Sequence, residues 1–182
     1  MKFLHQLKTW LSTNKTAVLF VAKMLVIYLA LQGVYDYILS PYTAIDSKLI
    51  HSIIASSEDI LKALGYEVIE SSNSIYQYHF GIQGTSGVVI GNSCDGLSLF
   101  ILFTAFLLVF RGKWWFKILF TILGILLIHL LNVIRVVALA LIVKSYPESL
   151  DFHHSYTFTL FVYGCIFLLW MFRIKIYQQK KW

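Results

Sequence analysis

The sequence predicts an all-α membrane protein of about four transmembrane helices, with both termini in the cytoplasm and a small extracytoplasmic α+β cap over residues 40–93. Three observations lead to this fold class. Hydrophobic residues make up 58% of the 182 residues, and charged residues make up only 13%, about half the share found in ordinary soluble domains. Four stretches are long and apolar, and the basic and acidic residues occupy different segments. The length suits a single polytopic membrane domain, residues 1–182.

The four apolar stretches predict the membrane helices, since a helix needs about 20 residues to cross a bilayer. The predicted spans are approximately residues 17–39, 94–112, 118–140 and 155–172. The second stretch is the shortest, and we extend it upstream to Cys94 and downstream toward the aromatic pair Trp114 and Trp115, which suits a membrane interface. The first stretch exceeds the apolar region of a signal peptide, and no small-residue cleavage site follows it before Asp36. We therefore predict that it is a retained helix.

The charged residues predict the orientation of these helices. The N-terminal segment, the turn 111–117 and the C-terminal tail hold ten basic residues and no acidic one: Lys2, Lys8, Lys15, Arg111, Lys113, Lys117, Arg173, Lys175, Lys180 and Lys181. All nine acidic residues lie in segments 36–95 and 144–154, together with only three lysines. By the positive-inside rule, the termini and the turn are cytoplasmic and the acidic segments face outward. The net charge of +6 thus indicates topology and contact with anionic lipid headgroups, and we predict no nucleic-acid partner.

The outward segment 40–93 has the pattern of a small folded cap. Apolar residues recur at intervals near 3.6 from Thr43 to Gly65, which predicts an amphipathic helix, and Thr43-x-x-Asp46 is a variant of a capping box. Three short strands are predicted at 66–70, 75–80 and 88–90. The simplest interpretation is a structural lid, and the alternative is direct contact with a substrate.

Polar residues inside a span are the first place to look for function, because they are costly to insert. The third span contains His129, Asn132 and Arg135. An arginine near a helix centre costs about 2.5–3.5 kcal/mol, so it should face the bundle, a partner or a water-filled cavity. Arg135 lies about 27 Å along the helix from Lys117, near the outer face of a core of roughly 30 Å. Asn132 is one turn deeper on the same side, and we interpret His129 as a packing residue.

Two further reactive groups are predicted at the same depth as Arg135. Cys94 opens the second span from outside, and His153 and His154 precede the fourth span. A cysteine at a helix start is favoured as a thiolate by the free N–H groups and the helix dipole, although Asp95 would oppose this if it pointed inward. The structural alternative is a small apolar filler, as we expect for Cys165. The common depth of a cysteine, an arginine and a histidine is the strongest chemical signal in the chain.

These residues also resemble a known family. Asn92-x-Cys94-x-Gly96 at the start of one span, Asn132-x-x-Arg135 in the next and a histidine at the mouth of the following span resemble the signature of the exosortase/archaeosortase family. The resemblance covers about residues 94–172, and this chain would be a compact member. Members are polytopic membrane cysteine peptidases or transpeptidases. Their substrates carry a C-terminal sorting signal, which is a short recognition motif, a transmembrane helix and a basic tail.

The resemblance implies a set of site residues, a partner and a location. The implied catalytic residues are Cys94, Arg135 and His154, and the implied supporting residues are Asn132, Asp95, Gly96 and His153. His153 is the alternative to His154 for the catalytic histidine, and no cofactor or metal is expected. The histidine is typical of bacterial members, which implies the bacterial inner membrane with the active site on the extracytoplasmic face. The implied partner is a membrane-anchored protein substrate with a sorting signal.

The implied chemistry is acyl transfer by a thiolate. Cys94 attacks the scissile carbonyl with help from His154, Arg135 stabilises the thiolate or the oxyanion, and water or an acceptor resolves the thioester. The alternative is a non-enzymatic membrane transport or polymer-export component that binds an anionic ligand at Arg135 and the His153/His154 pair. A metal site built from Cys94, His153 and His154 lacks a convincing ligand set.

Overall fold

A computed structural model describes residues 13–69, 73–74, 77–91 and 95–180 of the chain. This part of the protein is mostly helical, with one small β-sheet. Three helical stretches are long and apolar enough to cross a membrane, at Lys15–Tyr42, Trp114–Ser145 and Pro147–Gln179. They coincide with the first, third and fourth predicted stretches. The second predicted stretch, 94–112, contains a shorter apolar helix of 13 residues, Leu97–Val109.

The first helical stretch changes its winding near its outer end. Helix α1, Lys15–Val34, continues into a π-helical turn, Tyr35–Leu39, and then into the short helix α2, Ser40–Tyr42. Such π-helical turns are rare overall, and many of those that occur lie at functional sites. Tyr35, the first residue of this turn, is buried in the protein although α1 itself has no buried residue. The turn therefore directs one aromatic side chain inward at the junction with the cap.

The cap consists of one amphipathic helix and a three-stranded sheet. Helix α3 is Ile45–Ala63, and the antiparallel strands are β1, Asn73–Ser74, β2, Gln77–Phe80, and β3, Val88–Ile90, in the order β1-β2-β3. The described part of the predicted strand 66–70 forms one isolated antiparallel bridge, Val68 with Ile82, in which Ile69 donates to the Gly81 carbonyl and Gln83 donates to the Glu67 carbonyl. The expected capping box is wrong, because α3 starts after Ala44 with no side-chain cap and Asp46 is hydrogen-bonded elsewhere.

The remaining helices form a bundle that is continuous with the cap. Helix α4 is Leu97–Val109 and helix α5 is Trp114–Ser145. With 32 residues, α5 is about 48 Å long, well beyond a hydrocarbon core of roughly 30 Å. Its outer part packs into the cap core, where apolar residues of α3, the sheet and α5 form one cluster, including Ile50, Ile53, Phe80, Ile90, Val133, Val136 and Ala140. The cap and the bundle thus share a helix.

The last helical stretch begins irregularly and then becomes a long helix. A 3₁₀ turn, Pro147–Ser149, leads to the short helix α6, Leu150–Phe152, a second π-helical turn, His153–Thr157, and helix α7, Phe158–Lys180. A second apolar cluster joins α4, α5 and α7, with Phe106 of α4 stacked on Trp170 of α7 at 4.5 Å between ring centroids. Both π-helical turns lie where a long helix meets the cap side of the bundle.

Close contact between α4 and α5 depends on one small residue. A Cβ atom added at Gly124 of α5 would collide with the ring of Phe103 of α4, which is fully buried. Small residues allow membrane helices to approach each other closely, and van der Waals packing then holds them together. Gly124 therefore fixes how α5 lies against α4, and it contributes to the position of the polar residues farther along α5.

Candidate active site

The turn before α4 is shaped by Gly96. This residue is the N-cap of α4 and has φ +80°, a left-handed conformation that L side chains rarely adopt. A Cβ atom at this position would also collide with the side-chain amide nitrogen of Asn132 on α5. Glycine is therefore required twice, once by the backbone and once by the space that Asn132 occupies. The two motifs that contain Gly96 and Asn132 are in direct contact.

Asn132 holds the same turn through a hydrogen bond. Its side chain is 1% exposed, and its Nδ2 donates to the backbone carbonyl of Asp95 at 3.4 Å. The side-chain Oδ1 of Asp95 accepts from the backbone N–H of Leu97 at 2.8 Å, which satisfies one of the free donors in the first turn of α4. The segment that directly follows Cys94 is therefore held both by α5 and by its own side chain.

Five of the predicted site residues line one cavity of about 330 Å³. They come from the turn before α4, from α5 and from the second π-helical turn: Asp95, Gly96, Asn132, Arg135 and His154. Ser155, Thr159 and Tyr163 line the cavity as well, and the sequence interpretation missed them. They are spaced by four residues, so they lie on one side of the last helical stretch. That polar stripe on an otherwise apolar segment was a signal available in the sequence.

Arg135 directs a largely uncompensated charge toward this cavity. Its Nη2 donates to the backbone carbonyl of His154 at 3.5 Å, and its Nε has no hydrogen-bond partner among the described residues. Within the described part of the chain, no carboxylate forms an ion pair with Arg135. The guanidinium is half-buried, where a charge interacts more strongly with a nearby anion than it would in water. Arg135 is thus suited to stabilise negative charge in the cavity.

The two adjacent histidines take different positions. His154 lines the cavity, whereas His153 does not. The Nδ1 of His153 lies 3.1 Å from the hydroxyl of Thr157, one turn along the same helix, and its ring contacts Phe152. Of the two, His154 is therefore the one whose position suits a role in the cavity. His129, deeper on α5, lies 3.3 Å from the hydroxyl of Ser52 on the cap helix and does not line the cavity.

The predicted nucleophile Cys94 lies outside the described residues, together with Asn92 and Ser93. Asp95 follows Cys94 by one peptide bond and lines the cavity. Cys165 is a free, half-buried thiol packed in the apolar cluster of α4, α5 and α7. Its surroundings agree with the expected packing role.

Two buried carboxyl groups meet beside the cavity. Asp46 of α3 is 6% exposed and Asp95 is 3% exposed. The Tyr35 hydroxyl donates to Oδ1 of Asp46 at 2.5 Å, and the Ser40 hydroxyl donates to Oδ2 at 2.9 Å. Asp95 lies before the first residue of α4, outside the helices, and burial raises its pKa to about 6. The hydrogen bond from Leu97 opposes this rise, and the neighbouring Asp46 adds to it.

Asp46 was not identified as a site residue from the sequence. Its position near the start of an amphipathic helix suggested a capping role, and no local pattern links it to Tyr35 or to Asp95. Both contacts bridge separate elements, and the one with Tyr35 depends on the π-helical turn that directs the aromatic ring inward. The interaction could be found only once these elements were packed together.

Comparison with known families adds evidence that does not depend on this geometry. A family model described as "Transmembrane exosortase (Exosortase_EpsH)" matches residues 4–171, which is most of the chain. No curated protein and no solved structure matches the chain. The family match extends into the N-terminal half, which the sequence motifs around Cys94, Asn132 and Arg135 do not reach. The chain therefore belongs to the transmembrane exosortase family.

Proposed function

We propose that this protein is a membrane-embedded cysteine peptidase or transpeptidase that cleaves the C-terminal sorting signals of exported proteins at the outer membrane face. One observation carries the proposal. In a chain of the transmembrane exosortase family, Arg135 and His154 line one cavity together with the Asp95–Gly96 turn, which directly follows Cys94. Cys94, His154 and Arg135 would supply the three roles that a thiol acyl-transfer mechanism needs, which are a nucleophile, a general acid-base and a stabiliser of the oxyanion.

The proposed reaction proceeds through a thioester. His154 accepts the proton of the Cys94 thiol, and the sulfur forms a bond with the scissile carbonyl carbon of the substrate. The carbonyl oxygen becomes an oxyanion beside Arg135. His154 then donates its proton to the leaving amine as the C–N bond breaks. Water hydrolyses the thioester, or an acceptor amine or hydroxyl replaces water and becomes joined to the substrate.

Arg135 contributes mainly by electrostatics. It has no ion-pair partner among the described residues, so its charge need not be drawn away from a carboxylate when the oxyanion forms. Loss of a single oxyanion-stabilising donor typically lowers the rate by about 10²–10³. The contact of Nη2 with the His154 carbonyl links the guanidinium to the π-helical turn that bears the proposed acid-base.

The proposed sidedness follows from the distribution of charge. The basic turn 111–117 and the basic C-terminal tail lie on the cytoplasmic side under the positive-inside rule. Arg135 is 21 residues beyond Trp114, the first residue of α5, which is about 32 Å along the helix. The cavity then lies at the outer face of the bilayer, where a substrate held by its own transmembrane helix can approach from the lipid.

Substitution of Cys94 tests the proposal in cells. The assay follows an exported protein that ends in an apolar helix and a basic tail, and it detects loss of the tail on immunoblots. We expect Cys94→Ala and Cys94→Ser to abolish processing, whereas Cys165→Ala retains it, because Cys165 packs among apolar side chains. Normal processing by Cys94→Ala would show that the nucleophile is a different residue or that the protein has another function.

A further inference from the structure

A buried hydrogen-bond network joins the first membrane helix, the cap helix and the start of α4. The hydroxyls of Tyr35 and Ser40 donate to the two carboxyl oxygens of Asp46. Oδ1 of Asp95 accepts from the N–H of Leu97, but Oδ2 of Asp95 is buried and has no donor among the described residues. Asp46 lies close enough to Asp95 to raise the pKa of the Asp95 carboxyl. Asp46 is therefore fully supplied with donors, while Asp95 lacks one.

This asymmetry indicates where a proton would reside. Two adjacent buried carboxyl groups repel each other when both are ionised, so such pairs tend to hold one proton between them. Both oxygens of the Asp46 carboxyl accept a hydrogen bond from a hydroxyl. A proton on Oδ2 of Asp95 would supply the missing donor and would bridge Asp95 to Asp46. The cap helix and the turn after Cys94 would then be joined by one short hydrogen bond.

We propose that Asp46 and Asp95 form a proton-sharing pair that positions the turn after Cys94 and controls how much negative charge lies beside its thiol. The inference rests on the proposed function, in which Cys94 reacts as a thiolate. Asp46 and Asp95 act here as positioning residues, because Asp46 acts on the turn through its interaction with Asp95. The raised pKa of Asp95, to about 6, agrees with a proton that the pair retains until the pH approaches neutrality.

Other titratable groups face the same region and have to be separated from the pair. They come from the π-helical turn after α1, from α5 and from the last helical stretch: Tyr35, Arg135, His154 and Tyr163. Cys94 directly precedes Asp95 in the sequence. His154 matters most, because histidine is the side chain whose charge most often changes between pH 5 and 8. Asp36, one residue from Tyr35, is exposed and accepts a hydrogen bond from Gln32. It provides a matched acidic control.

The test measures the reactivity of Cys94 against pH. Full-length protein carrying Cys165→Ser, which leaves Cys94 as the single cysteine, is alkylated with iodoacetamide from pH 4.5 to 9. Below its pKa, an isolated thiol reacts about tenfold faster for each unit that the pH rises, because the thiolate is the reactive form. We expect the parent protein to depart from this slope at an inflection near the pKa of Asp95, because ionised Asp95 disfavours the neighbouring thiolate.

Substitutions in the network should move this inflection in opposite directions. Asp46→Asn removes the like charge and supplies an amide donor to Asp95, so the inflection should move to lower pH. Tyr35→Phe keeps the ring but removes a donor from the Asp46 carboxylate, so the pair should hold its proton more tightly and the inflection should move to higher pH. Asp95→Asn should remove the inflection, and Asp36→Asn and His154→Gln should leave it in place.

A purely structural role would change the alkylation rate by one factor at every pH and would leave the inflection where it was. That result in both Asp46→Asn and Tyr35→Phe overturns the proposal. A parent profile without an inflection, an inflection that disappears in His154→Gln, or a Cys94 thiol that does not react also overturns it. This readout needs no peptidase activity. Normal substrate processing by Cys94→Ala would therefore contradict the proposed function, while the alkylation profiles would still report on the pair.

Discussion

Replacement of Asp95 by asparagine should stabilise the folded protein at neutral pH. The Asp95 carboxyl is buried beside Asp46, so its ionised form is less stable there than in the unfolded chain. Asparagine has nearly the same shape. Its Oδ1 can still accept from the Leu97 N–H, and its Nδ2 can donate to the Asp46 carboxylate. The variant keeps the hydrogen bonds and loses the buried charge.

The size of the effect follows from the pKa of Asp95, which is about 6 in the folded protein against an ordinary value of 3.8. One pKa unit corresponds to 1.36 kcal/mol, so ionisation of Asp95 lowers the free energy of unfolding by about 3 kcal/mol. The sign is fixed by proton binding, since the folded state binds this proton more tightly than the unfolded state. The contribution of Asp95 is therefore most favourable below about pH 4, falls between about pH 4 and 6, and is constant above that range.

The assay compares thermal unfolding of the parent protein and Asp95→Asn in one detergent from pH 4 to 8. We expect the two proteins to have similar stability at pH 4, and the advantage of the variant to grow until the pH exceeds the pKa of Asp95. Asp36→Asn, which replaces an exposed carboxylate, should show no such change. A variant that is less stable than the parent at pH 7.5, or a difference that does not depend on pH, would refute the reasoning.

Three further predictions concern single positions. Arg135→Lys should lower substrate processing by about 10²-fold or more, because lysine lacks the planar guanidinium that reaches both the His154 carbonyl and the cavity; processing at the normal rate would remove Arg135 from the mechanism. Gly96→Ala should destabilise the protein by at least about 1–2 kcal/mol in thermal unfolding, from its left-handed φ and the collision with Asn132. The double variant Gly96→Ala/Asn132→Ala should regain only the part of this lost stability that comes from the collision with Asn132. Gly124→Val should lower the stability of the protein by about 1–3 kcal/mol, because valine overpacks against Phe103. Gly164→Val should lower it little, since Gly164 has open space around it. Equal losses of stability at both glycines would argue against the close contact between α4 and α5.

The family and the helical membrane class were predictable from the sequence because they depend on local properties. Long apolar segments predict long helices whatever their tertiary contacts, and three of the four predicted stretches contain helices long enough to cross a membrane. The common depth of Arg135 and the histidine pair followed from the fixed rise of a helix, and the structure places Arg135 and His154 on one cavity. The sequence also favours His154 over His153, because adjacent positions on a helix point in different directions and only one of the two can face the site; of the two, the structure has only His154 lining the cavity.

The parts of the site that the sequence did not reveal depend on contacts between distant segments. The pattern at Thr43 and Asp46 fits a helix cap, but in the structure Asp46 bonds to Tyr35 and Ser40 instead. A buried carboxylate gains more from two hydroxyl donors than from one exposed backbone N–H. The requirement for glycine at position 96 likewise arises from Asn132, a residue on another helix. Local patterns carry no information about either neighbour.

The unbroken helix α5 gives the protein a built-in length scale. It runs without interruption from Trp114, at the basic turn, to Arg135 and onward into the cap. If the proposed function holds, a substrate is anchored in the same bilayer by a helix with a basic tail, and the height of its scissile bond depends on the number of residues between that tail and the bond. Adding or removing four residues would move the bond by about 6 Å, beyond the reach of a hydrogen bond. Helix α5 would then act as a ruler that selects substrates by the length of their anchor as well as by their recognition motif.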